Sequence, residues 1–280
     1  MREFPVWVPF DGERLSATIV VPDGDPRGLV LLMPGGGGAP RSHRYAMFTR
    51  VARELAGRGI ASVRMDWKGI GDSTGPARYN FHALPGDAAA EIARFALKAT
   101  GTTTFGMAGN CGGARTALLT LPQIPEATSA VLMMLKPLTG TRSEKQSVRK
   151  AKKMVRGIPK IGRMLRVAYW AMRWRRANPV LDRVKALSPE MDVLFLEAST
   201  VKVGRLPKFV EQLKDKAGKR RLELRFFPGG ATRAFQSLER QDFAIDGMIE
   251  WFDLTFPGSA PGGSAGQGSR TDIAPEPARS

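Results

Sequence analysis

Cysteine occurs once in this 280-residue chain, at Cys111, and histidine twice, at His43 and His82. A single cysteine forms no internal disulfide, and the chain has too few for a thiolate metal cluster. No metal and no cofactor is therefore expected, and a reducing, cytoplasmic setting is. No imidazole follows position 82, so a histidine base cannot come from the rest of the chain. No run approaches the ~18 apolar residues of a membrane span. The opening Met1-Arg-Glu-Phe-Pro-Val-Trp-Val holds no apolar h-region, so no signal peptide is expected.

Acidic residues are also short, with 26 against 43 Lys+Arg and a net charge of +17. The imbalance is local. Residues 141–185 carry 15 bases and two acids (Glu144, Asp182), a local charge of +13, whereas the other 235 residues hold 28 bases and 24 acids. Such a patch implies an acidic partner. Hydrophobic residues make up 42% of the chain, enough to bury a sizeable core.

The pattern along the chain is an antiparallel hairpin over 4–10 and 14–22, turning at Asp11-Gly12, followed by short apolar runs that alternate with helical ones. Strands are expected at Leu29–Met33, Ile60–Met65, Thr102–Ala108, Ala130–Leu135, Met191–Leu196 and Arg221–Phe227. Helices are expected at Ser42–Arg58 (capped by Ser42), Pro85–Leu97, Gly112–Leu121, Leu206–Lys216 and Leu238–Phe252. This alternation predicts a mostly parallel sheet covered on both faces. Thr141–Lys185 interrupts it as a helical, basic insertion. From Pro257 the Gly, Ser, Pro and Ala content predicts a disordered tail. The expected organisation is a core of 1–140 and 186–256, an insertion of 141–185 and a tail of 257–280.

Two stretches carry chemistry. Thr104-Phe-Gly-Met-Ala-Gly109-Asn110-Cys111-Gly112-Gly113 reads as a buried strand, a very tight turn and a helix start. Cys111 then stands above the sheet at a helix N-terminus, where a nucleophile is useful and a thiolate is stabilised. Leu29–Met33 runs into Pro34-Gly-Gly-Gly-Gly38, a loop whose backbone N–H groups can turn toward a ligand. The plain alternatives are a small buried residue at a structural turn and a flexible loop.

The order of elements, the glycine loop after the third strand, and the strand–Gly-x-Cys-x-Gly–helix together resemble an α/β-hydrolase over about residues 5–255. Arg64-Met-Asp66-Trp-Lys-Gly-Ile-Gly-Asp72-Ser73 is similar to the Arg-x-Asp-x-x-Gly-x-Gly-x-Ser loop many members carry. Gly-Gly-Gly, Ser42-His43-Arg44 and a cysteine at the elbow are most like hydrolases associated with exosortase systems and related biosynthetic acyl-handling enzymes. The resemblance implies a sheet of about eight strands with a helical basic lid over the active site. It implies that Cys111 attacks an acyl carbon of an ester or thioester, with the N–H of Gly112 and the loop around Gly36 and Gly37 forming the oxyanion hole.

That family's order is nucleophile, acid, histidine. The acid's place here reads Glu197-Ala-Ser-Thr-Val-Lys, and the histidine's place reads Gly229-Gly-Ala-Thr232-Arg-Ala-Phe. Glu197 is the nearest available acid. Arg233 stays protonated and is no base. His82, after the Asp66–Gly75 loop, lies on the elbow's side of the sheet and is the candidate base, the alternative being a satisfied surface histidine. His43 is expected to begin a helix and bond nearby backbone, and Asp72 and Asp87 to serve as turn and cap residues. A transfer between thioesters is the least demanding reaction for such a site, because a leaving thiolate needs little protonation.

In the insertion, Val148, Ala151, Val155 and Ile158 share a helical face, surrounded by Arg149, Lys152, Lys153 and Arg156. These bases either dock an acidic acyl carrier protein or form a solvated basic face whose apolar stripe merely covers the core. An anionic membrane is the second option, since Trp170 and Trp174 suit an interface. Nucleic acid is the third, as no binding fold for it is visible. Two readings stand side by side: an acyltransferase, thioesterase or hydrolase acting on a small-molecule or carrier-bound acyl substrate through Cys111, and a catalytically impaired relative that binds a ligand or acidic partner through its lid.

Overall fold

The computed structural model describes residues 1–36, 38–77, 85–135, 179–198, 221–228 and 235–258. Eight strands form one sheet: β1 (Arg2–Phe10), β2 (Glu13–Val21), β3 (Leu29–Met33), β4 (Ala61–Met65), β5 (Phe105–Asn110), β6 (Ala127–Met133), β7 (Asp192–Ala198) and β8 (Leu222–Phe227). Their order is β1-β2-β4-β3-β5-β6-β7-β8. β1 and β2 pair antiparallel through the Asp11-Gly12 turn, and β2 pairs antiparallel with β4. From β4 to β8 every pairing is parallel.

Parallel neighbours need crossovers, and here the crossovers are helices. α1 (Met47–Gly57), α2 (Gly86–Thr100), α3 (Gly112–Thr120) and α4 (Pro179–Lys185) lie between successive parallel strands, α5 (Leu238–Thr255) follows β8, and the β7–β8 connection lies outside the described residues. β3 shows why both faces are covered, since all five of its residues are buried. Leu29, Leu31 and Met33 join the core under α2 and α3, whereas Val30 and Leu32 join the core under α1 and α5. Each such leucine removed from water contributes about 2 kcal/mol, an upper-end value for a compact denatured chain. Val184 of α4 is fully buried in the α2–α3 side of the core. The last turn of the basic insertion therefore packs on the hydrolase-like body.

The chain winds from β3 to β4 in one direction along the sheet and from β5 onward in the other. β3 and β5 are hydrogen-bonded neighbours at this switch. Crevices at the carboxyl ends of strands open at such points. The glycine loop leaves the carboxyl end of β3 and the Cys111 turn leaves that of β5, so both are delivered to one place.

Helix boundaries differ from the sequence expectation; α5, for one, runs three residues beyond Phe252 to Thr255. The helix placed at Ser42–Arg58 begins at Met47, after a single 3₁₀ turn at Arg44–Ala46. Ser42 caps nothing there; its hydroxyl lies 3.4 Å from the His43 carbonyl. His43, Tyr45 and Ala46 all have positive φ (61°, 57° and 52°), which no α-helix permits. α2 runs three residues beyond Leu97 to Thr100 and closes on Gly101 at φ 66°, where a left-handed residue costs glycine nothing. The helix expected at Leu206–Lys216, most of the insertion and the tail lie outside the described residues.

Candidate active site

The elbow is built by close approach. β5 ends at Asn110, Cys111 follows at φ 52°, ψ −101°, and α3 starts at Gly112. A non-glycine residue held in the left-handed half of the map costs on the order of 1–3 kcal/mol and persists only where its surroundings impose it. Here they do. A Cβ on Gly109 would lie 2.5 Å from the Ala114 nitrogen, and one on Gly113 would press on the Met33 carbonyl and lie 2.8 Å from the Pro34 carbonyl oxygen. Only glycine two residues before and two after Cys111 lets helix, strand and glycine loop converge. The Cys111 N–H donates to the Met133 carbonyl at 2.9 Å. The thiol, half-buried and unpaired, heads a helix whose first residue is Gly112.

The glycine loop comes close to this turn. A Cβ on Gly35 would lie 3.3 Å from the Asn110 carbonyl oxygen and 3.8 Å from Cys111 Cβ. Gly36 follows in a turn and is half-buried; Gly37 lies outside the described residues. Three ties hold the loop. The Trp67 indole N–H donates to the Pro34 carbonyl at 3.3 Å. The Arg41 N–H donates to Asp66 Oδ1 at 2.6 Å, and the Arg41 guanidinium pairs with both Asp66 and Asp72. Asp66 is fully buried. It also receives the Asp72 N–H at 3.2 Å, so a buried charge is paired and hydrogen-bonded, the condition for keeping one inside a protein. Asp72 is thus a turn residue that also shares Arg41, and Asp87 lies in the first turn of α2.

The third tie is His43, and it differs from expectation. Instead of beginning a helix and bonding only local backbone, it is 5% exposed, and its Nε2 lies 3.0 Å from Asn110 Nδ2. Its ring packs between Phe48 (centroids 4.9 Å apart) and Phe235 (5.3 Å). Burial, chiefly, lowers its pKa to about 4. The backbone of Arg44 opposes that shift and the Arg44 charge adds to it. The ring is neutral at pH 7, and with Asn110 Nδ2 as donor its Nε2 accepts while the proton sits on Nδ1. Among the described residues Nδ1 and Asn110 Oδ1 are buried without hydrogen-bond partners. The Ser42-His43-Arg44 run was visible in the sequence; its partner, 67 residues away, was not.

Glu197, the candidate acid, lies near the end of β7 and is 3% exposed. Its Oε1 accepts the Leu135 N–H at 2.5 Å, tying the carboxyl ends of β6 and β7 together. Cys111, Gly112, Gly36 and Glu197 therefore share one edge of the sheet. His82, Arg233, Arg149, Lys152, Lys153 and Arg156 lie outside the described residues. Among the described residues the Cys111 thiol forms no hydrogen bond to an imidazole or carboxylate, no group of three or more His, Cys, Asp or Glu is placed to hold a metal ion, and no helix is long and apolar enough to cross a membrane.

A strained elbow at the carboxyl end of the central strand, facing a glycine loop from the neighbouring strand, defines an α/β-hydrolase. The chain belongs to the serine aminopeptidase S33 family, whose profile matches residues 24–236. At the elbow it carries cysteine. No curated protein matches the chain. Among solved structures it is similar to the Pyrococcus furiosus esterase Pf2001, at TM-score 0.63 and 15% identity over 91% of this chain and 92% of that one. It is similar to the α/β-hydrolase GrgF from Penicillium sp. sh18, at TM-score 0.59 and 14% identity over 91% and 99%. It is also similar to the thioesterase domain from the curacin biosynthetic pathway, at TM-score 0.54 and 14% identity over 91% and 100%.

Proposed function

We propose that this α/β-hydrolase handles acyl groups, transferring or hydrolysing an ester or thioester through Cys111. The observation that carries the reading is the strained cysteine between Gly109 and Gly113 at the head of α3. In the proposed step the Cys111 sulfur attacks the acyl carbon, and a new C–S bond forms. The carbonyl oxygen gains charge facing the N–H groups of Gly112 and of the Gly36–Gly37 loop. Collapse then expels the leaving thiolate, which takes up the proton Cys111 lost. Water or an acceptor alcohol, amine or thiol then takes the acyl group. His82 and Glu197 are the residues proposed to assist; thioesters demand least of them. The likeness of Gly-Gly-Gly, Ser42-His43-Arg44 and Cys111 to exosortase-associated hydrolases supports a biosynthetic acyl substrate. The +13 charge of 141–185 supports delivery on an acidic acyl carrier protein, with Arg149, Lys152, Lys153 and Arg156 as contacts and an anionic membrane as the second candidate.

The absence of any histidine after His82 favours a second reading, a binding protein on a catalytically impaired hydrolase frame. One experiment separates the two. Incubation with an acyl N-acetylcysteamine thioester, followed by intact-mass measurement, is expected to show one acyl adduct on the wild type and none on Cys111→Ala. No adduct on wild type, or the same adduct on both, refutes the enzyme reading. The binding reading instead has Cys111→Ala silent, and carrier-protein binding lost on neutralising Arg149, Lys152, Lys153 and Arg156 together.

A further inference from the structure

Three observations meet at His43 that neither the nucleophile nor its proposed base accounts for. The first is backbone strain. His43 has φ 61° and ψ 175°, a region that is essentially glycine's alone, yet the residue is a large ring and is held there. The second is burial. The imidazole is 5% exposed and locked between Phe48 and Phe235. The third is its partner. Across 67 residues, Nε2 meets the side chain of Asn110, the residue immediately before Cys111.

Of the ties that hold the glycine loop, His43 alone touches the elbow strand itself. Trp67 fixes the loop's start at Pro34, and Asp66 fixes its far end at Arg41. Both anchor the loop to the β4 side. Gly35, Gly36 and Gly38 lie between those anchors, and glycine brings no conformational preference that would fix them there. An oxyanion hole needs its donors placed within a fraction of an ångström of the developing charge. The His43–Asn110 contact joins the segment just after the loop to the residue just before Cys111. Phe235, which packs on the ring's edge, is the first described residue after the loop where relatives of this fold carry their histidine, so His43 also supports that loop's exit.

We infer that His43 is a positioning residue: by accepting a hydrogen bond from Asn110 it holds the glycine loop in register with Cys111 and so shapes the oxyanion hole. The inference rests on Cys111 being acylated. Neutrality of the buried ring keeps the Nε2 lone pair available as the acceptor.

Two reactions of the same sulfur test it. Acylation by an acyl N-acetylcysteamine thioester builds charge on a carbonyl oxygen and uses the hole; alkylation by iodoacetamide displaces iodide and does not. His43→Phe keeps a ring but no acceptor, and is expected to slow acylation about tenfold or more while alkylation stays within about twofold of wild type. His43→Gln offers a carbonyl acceptor and is expected to recover most of the acylation rate. Three results overturn the inference while leaving the acyl-transfer reading intact: His43→Phe acylating at the wild-type rate, both reactions of His43→Phe falling together, or His43→Gln being as slow as His43→Phe. Failure of the wild type itself to acylate removes the reading and the inference together.

Discussion

Replacing His43 by glutamine changes how stability depends on pH, and the size of the change follows from where the ring sits. A histidine in the unfolded chain titrates at about 6.5, whereas in the fold burial pushes its pKa down to about 4. Between those values the unfolded chain binds a proton that the folded ring refuses. The unfolded state therefore gains as pH falls through 6.5, and the loss levels off once the folded ring also titrates near 4. The full span corresponds to about 3 kcal/mol, at about 1.4 kcal/mol per pKa unit. Going from pH 7 to pH 4.5 captures about 2 kcal/mol of it. Carboxylates titrate in the same range, but they are common to wild type and variant, so the difference between the two isolates His43. Urea unfolding of both proteins at pH 7.0 and 4.5 measures it. His43→Gln is expected to be the less stable at pH 7, because it gives up the ring packing against Phe48 and Phe235. At pH 4.5 the gap is expected to shift by about 2 kcal/mol in the variant's favour. A gap that stays constant with pH means the ring is hydrated or charged in the fold, and the account of a neutral buried acceptor is wrong.

Other substitutions probe the same edge of the sheet. Asp66→Asn removes a fully buried charge from Arg41 and is expected to cost about 2–3 kcal/mol in chemical denaturation, whereas Asp72→Asn, 62% exposed, is expected to cost under about 1 kcal/mol. Gly113→Ala drives a Cβ into the Met33 and Pro34 carbonyls and is expected to cost about 3 kcal/mol or more with loss of Cys111 acylation. Gly57→Ala, with nothing within 4 Å at the last turn of α1, is expected to leave the melting temperature unchanged or raised by a few degrees.

The sheet was legible because its signals are local. Leu29–Met33 is an unbroken apolar run of strand length, and such a run is what burial on both faces requires. Asp11-Gly12 between two apolar stretches is a hairpin signal, and the hairpin is there. The elbow was legible for a related reason: glycines at 109 and 113 around Cys111 are imposed by contacts within a few residues of chain and by β3 alongside. The start of α1 was not. Met47, Val51 and Leu55 mark its buried face, but Ser42 is so common a helix cap that local preference places the start five residues early. The chain instead passes through His43, Tyr45 and Ala46 at positive φ, an arrangement no local propensity favours.

What overrides propensity at 42–46 is long-range pairing, and the same holds for most of the site. Asp66 looks from the sequence like one member of a glycine-punctuated loop; its meaning comes from Arg41, 25 residues earlier, which closes the glycine loop onto β4. His43 looks like a helix-start residue, and its meaning comes from Asn110. In each case one polar partner lies on the glycine loop and the other at the carboxyl end of a strand bordering β3. The doubly wound topology brings those strand ends together, and a sequence shows the topology only through the pattern of its strands. Local strain and a buried orphan nitrogen at His43 are costs the fold bears beside the strained Cys111. A chain that bore them only for packing would gain stability by placing glycine at 43 and an apolar ring elsewhere. That it carries a histidine there, bonded to the residue before its only cysteine, is the physical reason to look for the site's organising contact in His43 rather than in the loop where related folds keep their histidine.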